Sequence, residues 1–109
     1  MGIIYKVLGQ SNPTTNTVVT LYTTPALTNT VCSTLSVCAT SGNSTTVNVA
    51  VQPAAASLAN QHFILYQTPV NAYNPLFLTL GVSLAASDIV TVSSANGNVA
   101  FCLFGSEIS

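Results

Sequence analysis

In 109 residues the chain carries three charged side chains, Lys6, Asp88 and Glu107, where an average soluble domain of this length would hold about 27. A net charge of -1 with a single Lys cannot displace a run of counterions from a phosphate backbone, which excludes direct nucleic-acid binding as an expected role. A 49% apolar composition excludes disorder, and no apolar run approaches the roughly 18 residues of a membrane span.

The surface must instead be covered by Thr, Ser and Asn, which supply 37 residues. Read in chain order, Ile3 to Leu8 is a first extended run, ended by Gly9 and the Asn12-Pro13 turn. Thr17 to Thr23 is a second, in which Val19 and Leu21 alternate with Thr20 and Tyr22 until Pro25 interrupts. Thr30 to Cys38 is a third, with Val31, Leu35 and Val37 expected on one face and Cys32, Thr34, Ser36 and Cys38 on the other. Ser41 to Ser44 makes a hairpin-like turn into Thr45 to Gln52, where Val47, Val49 and Val51 alternate with Thr46, Asn48 and Ala50.

Pro53 ends that strand, and Ala54 to Asn60 is too short for more than a loop or a helical turn. Gln61 to Gln67 resumes the extended pattern, Pro69 to Pro75 connects, and Leu76 to Leu80 is a nearly continuous apolar run. Ile89 to Val92 follows the Asp88 corner, and the Asn96-Gly97 turn predicts a last strand, Asn98 to Phe104, folded back on Ile89 to Val92. Short strands with turns every 8 to 12 residues or so predict an all-β fold. The expectation is about eight antiparallel strands in a β-sandwich or jelly-roll-like domain, a single domain over residues 1–109, with residues 1–13 as an N-terminal arm or first strand.

Such a sandwich has edge strands, and this chain has almost no charges with which to protect them. Association through those edges is therefore expected. Ile3, Ile4, Tyr5, Lys6, Val7 and Leu8 form the candidate assembly arm, an isolated extended run that could pair with a neighbour's edge.

Little here supports chemistry, and no catalytic, cofactor-binding or metal site is expected. His62 is the one histidine, and with Asp88 and any of twelve serines it could nominally compose a triad, but there is no G-x-S-x-G elbow. A partly buried, hydrogen-bonded His62 on one face with Ile64 and Tyr66 is the expected role. Asp88 and Glu107 are the sole carboxylate pair available for a dyad. Asp88 is better read as the turn residue leading the strand at Ile89, and Glu107 lies near the chain end, where ordering is weakest. Zinc spacing and a phosphate loop are both missing from the sequence. Asn43-Ser44-Thr45 matches a glycosylation pattern and is read as a turn, because no export signal precedes it. Cys32 and Cys38 on one strand would lie about 20 Å apart, so a disulfide could involve only Cys102 on a neighbouring strand, and at least one of the three thiols is expected to be unpaired.

The ends of the chain carry a resemblance. Tyr5-Lys6-Val7-Leu8-Gly9-Gln10-Ser11-Asn12-Pro13, Thr20-Leu21-Tyr22-Thr23-Thr24-Pro25, the block from Leu78 to Val92 and the ending Phe104-Gly105-Ser106-Glu107-Ile108 resemble small virion structural proteins of tailed bacteriophages, particularly those of cyanobacteria. The resemblance implies a non-enzymatic component made in the host cytoplasm and built into the virion. It further implies a capsid decoration or cement protein, a homo-oligomer expected as a trimer, whose partner is the major capsid protein or another virion protein, with no membrane and no nucleic acid in direct contact. A tail, neck or fibre component is the alternative, and a carbohydrate-binding module using Tyr66 and Tyr73 is a third reading from a different class.

Overall fold

The computed structural model describes residues 2–108. The chain is all-β, with β1 (Ile3–Ser11), β2 (Val19–Thr23), β3 (Asn29–Ala39), β4 (Thr45–Gln52), β5 (Phe63–Val70), β6 (Pro75–Leu84), β7 (Ile89–Ser94) and β8 (Val99–Ile108). Two single-turn 3-10 segments, Pro53–Ala55 and Asn60–His62, lie between β4 and β5. The strands make two antiparallel sheets, sheet A in the order β1-β8-β3-β6 and sheet B in the order β2-β7-β4-β5.

The pairing is nested: β1 with β8, β2 with β7, β3 with β6 and β4 with β5. One long hairpin has thus been wrapped so that successive pairs fall in alternate sheets, which is the arrangement of an eight-stranded jelly roll. Two sequence expectations change as a result. The Asn96-Gly97 reversal does not close a hairpin, because β7 belongs to sheet B while β8 pairs with β1 and β3 in sheet A. The turn after β3 likewise carries the chain from sheet A into sheet B. Turn chemistry fixes where a strand reverses, but not which sheet the next strand joins.

Register explains a third correction. Relative to β8, β3 carries one extra residue between Cys32 and Thr34, and such a bulge reverses the facing of everything before it. Cys32 therefore joins Leu35, Val37 and Ala39 in the core, and Val31 turns outward, opposite to the face its spacing predicts. Burial pushes the Cys32 thiol up to about 11.

The space between the sheets is filled by Leu35, Val37, Val47, Val49, Val92, Val99, Phe101 and Leu103, all essentially fully buried. A gap of about 10 Å³ remains among Cys32, Leu35, Val49 and Leu103. That is at the lower bound of what a water molecule needs, and its apolar lining offers water no partner, so the gap is dry.

The edges are not left bare. In each pairing of an edge strand the surplus residue lies on the edge strand itself: Leu8 in β1, Leu21 in β2, one residue between Thr79 and Val82 in β6, and two between Phe63 and Thr68 in β5. Bulges twist an edge out of the flat geometry that a second strand needs, and they do so without charge. The edge liability inferred from the missing charges is thus met by another device on most of the perimeter.

Candidate assembly surface

The two sheets differ in what they present outward. The outer face of sheet B is covered at one end by the β4–β5 connection, which is pinned there by two side chains. Gln52 donates through Nε2 to the Ala56 carbonyl at 2.6 Å and accepts from the Thr91 hydroxyl at 2.6 Å. Ala50 and Thr91 beneath it are buried.

Sheet A has no such cover. Since Leu35, Val37, Phe101 and Leu103 point inward, their alternates form the outer face. Register sets these in rows: Tyr5, Ser106, Val31 and Ser83; Val7, Phe104, Thr34 and Thr79; Gln10, Cys102, Ser36 and Phe77; then Ala100, Cys38 and Pro75. No charged side chain occurs in these rows. Tyr5 is 82% exposed and Phe77 65%, so large apolar groups stand in solvent at both sides of the sheet.

The candidate arm is the first strand. Ile3, Ile4, Tyr5, Lys6 and Val7 pair in unbroken register with β8, from Ile3 opposite Ile108 to Val7 opposite Phe104, and Leu8 is the bulged residue that packs on the core. Ile3, Ile4, Tyr5 and Val7 remain exposed, Tyr5 and Val7 on the outer face of sheet A. The inner edge of this segment is taken by its own chain, and its outer edge faces away from the sheet. In β6, Pro75 to Thr79 is also in unbroken register with β3, so sheet A is bounded on both sides by regular stretches.

The few charges are all engaged. Asp88 leads β7 as expected of a turn carboxylate, accepting from the Ala54 N–H at 2.8 Å and the Ala85 N–H at 2.9 Å. Glu107 is held firmly within β8 rather than loose near the chain end. Its carboxylate accepts from the Tyr22 hydroxyl at 2.5 Å and pairs with the Lys6 ammonium at 2.9 Å, while Tyr22 also bonds the Thr30 hydroxyl at 2.8 Å. Tyr22 comes from sheet B and the other three from sheet A, so the cluster ties the two sheets together at one end. Glu107 and Tyr22 are 85 positions apart, and no local pattern in the sequence could have joined them.

This tie titrates at both limits. The Tyr22 and Lys6 bonds hold the Glu107 carboxyl below its ordinary value. Its contribution to stability is therefore complete above the unfolded-state value, about 4.3, and lost as pH falls through the lower folded value. Burial, reinforced by the bond to Glu107, pushes the Tyr22 hydroxyl up to about 12. That contribution is complete below the unfolded value of about 10 and lost as pH rises from there through the folded value. Urea titrations at pH 3, 7 and 11 are expected to show a stability maximum near neutrality. The acid decline should flatten in Glu107→Gln and the alkaline decline in Tyr22→Phe; unchanged profiles would remove the tie as their cause.

Other candidate residues are dispersed. His62 ends the second 3-10 turn instead of sharing a strand face with Ile64 and Tyr66, and its Nδ1 accepts from the Ala59 N–H at 3.1 Å. Asp88 is occupied by backbone donors, and no group of three His, Cys, Asp or Glu among the described residues could hold a metal. Cys32, Cys38 and Cys102 are all free thiols, one in the core and two on the outer face of sheet A. Asn43 and Ser44 are exposed in the turn before β4. Tyr73 rests over Gly42, and the β5 end nearest it is the one opposite Thr45, so it stands apart from Tyr66. Tyr66 instead joins Asn60 and Phe63 around an open surface hollow of about 390 Å³. No protein-family model, no curated protein and no solved structure matches this chain.

Proposed function

We propose that this protein is a non-enzymatic structural component of a virus particle, a capsid decoration or cement protein. In this reading it self-associates as a trimer and binds the major capsid protein through sheet A. The observation that carries the reading is the outer face of sheet A, four strands wide, without a charged side chain and with Tyr5, Val7 and Phe77 exposed. Buried at roughly 25 cal/mol per Å² of apolar area, such a face gains from contact and meets little desolvation penalty, since there are no ions on it to strip of water. Sheet B is disfavoured for the same role because part of its outer face is covered by the β4–β5 connection. The jelly roll is an architecture used by viral capsid and lectin domains alike, and the particle reading takes the first of these, in line with the resemblance that the sequence segments suggest.

Tyr5→Glu and Phe77→Glu together test this reading, since both positions are exposed and the fold should tolerate them. Sedimentation of the parent chain is expected to show an oligomer, and the doubly charged variant a monomer that no longer coats particles lacking their own copy. A parent chain that stays monomeric at high concentration and leaves such particles bare would end the proposal. Stoichiometry in purified particles separates the shell from the tail, neck or fibre: a decoration protein should approach the copy number of the major capsid protein, and a tail component a small fraction of it.

A further inference from the structure

The hollow beside β5 owes its form to an irregular strand. In a regular strand, residues three apart face opposite sides, yet Phe63 and Tyr66 stand together with ring centroids 4.9 Å apart and planes at 65°. The cause is the pair of surplus residues that β5 carries relative to β4, Thr68 opposite Val47 but Leu65 opposite Val49 and Phe63 opposite Ala50. Gln67 absorbs the irregularity at φ 52, a left-handed conformation that a residue with a side chain adopts at some cost. Its N–H, displaced from the ladder, is recovered by the Asn48 side-chain carbonyl at 2.7 Å, while the Asn48 amide also reaches the Ser93 hydroxyl at 3.3 Å. Bulges of this kind commonly re-aim side chains toward a site.

We infer that this hollow, formed by Asn60, Phe63 and Tyr66, binds a neutral saccharide. Its volume, about 390 Å³, lies within the range of small-molecule sites. The Tyr66 ring is 61% exposed and gives the C–H face of a pyranose a surface to lie on, and the Asn60 amide offers both a donor and an acceptor to ring hydroxyls. The charge distribution restricts the ligand further. Among the described residues the lining is Asn60, Phe63 and Tyr66, and Lys6, Glu107 and Asp88 are engaged with other partners, so the hollow offers a ligand no carboxylate or ammonium. A wholly apolar ligand would leave the Asn60 amide without a partner. The inference is independent of the particle reading: a saccharide site on a shell protein would be an attachment function added to a structural one.

The test is an array of neutral and charged glycans probed with the purified chain, followed by titration of the responding glycan against variants. Binding to neutral glycans is expected, weakened about tenfold or more in Tyr66→Ala and in Asn60→Ala, kept in Tyr66→Phe and unchanged in Tyr73→Ala. Tyr66 and Asn60 are exposed, so circular dichroism should confirm that these variants remain folded. Absence of any glycan binding, binding confined to charged glycans, or equal affinity in the parent and Tyr66→Ala would each overturn the inference.

Discussion

Gly105→Ala is expected to destabilise the protein by about 3 kcal/mol or more, a large part of the roughly 5–15 kcal/mol that holds a domain of this size together. A Cβ at this position would lie 2.1 Å from the Val31 carbonyl oxygen, 3.1 Å from the Cys32 Cα and 3.0 Å from a Leu8 methyl. Two of these are backbone atoms of β3, which is itself paired on both sides, so relief requires shifting a central strand at its bulge. Gly9 offers a comparison, since its added Cβ would also come within 2.1 Å of a backbone oxygen, that of Leu21. Gly9 and Leu21 are both on edge strands, which can separate at less expense, and Gly9→Ala should therefore lose less. Gly81→Ala is the control: nothing lies within 4 Å of the added atom and the backbone is not left-handed, so its effect should stay within about 1 kcal/mol. Urea midpoints of the three variants check the order Gly105, Gly9, Gly81; equal losses would show that close backbone approach is not what these positions require.

That glycine marks where the sequence stopped being readable. The run Thr45 to Gln52 coincides with β4, because β4 is a central strand whose pairing with β7 is uninterrupted and its alternation has no reason to slip. In β3 the same alternation misplaces Val31 and Cys32. The bulge at Ser33 is set by the close approach of Gly105, 72 positions later, and nothing around Val31 announces it. Nested pairing is invisible for a related reason. Ile3 opposite Ile108 and Asn29 opposite Ile108 are contacts between distant segments, whereas turn residues describe only their own reversal.

The aromatic hollow was partly within reach. Pro69 close behind an extended run is a mark of an edge strand, and Gln61 to Val70 holds Phe63 and Tyr66, but the surplus residue between Phe63 and Leu65, which lets their rings meet, has no glycine or asparagine to signal it. The scarcity of charge, by contrast, was legible at once, and the structure alters its meaning. The edges are guarded by bulges, so the missing charges bear less on edge pairing than on the outer face of sheet A, where their absence leaves a broad neutral surface.

Phe101→Ala is the companion test of what holds the two sheets face to face, with an expected loss of about 3–5 kcal/mol. Phe101 is 1% exposed and is the largest of the fully buried side chains. On β8 it occupies the row formed with Ser11, Val37 and Leu76, and it points across the gap toward sheet B. The core around it is composed largely of valines, Val37, Val47, Val49, Val92 and Val99, whose branched side chains are restricted at χ1 and reorganise poorly. A cavity left by the phenyl ring would therefore stay largely open, placing the loss toward the upper part of that range. Phe101→Leu should retain about half or more of the lost stability, since it refills most of the volume. The urea slope should be unchanged in both variants, because the surface exposed on unfolding is nearly the same. A loss below about 1 kcal/mol for Phe101→Ala would mean that the sheets collapse onto the vacancy, and that the valine framework is more compliant than its rotamers imply.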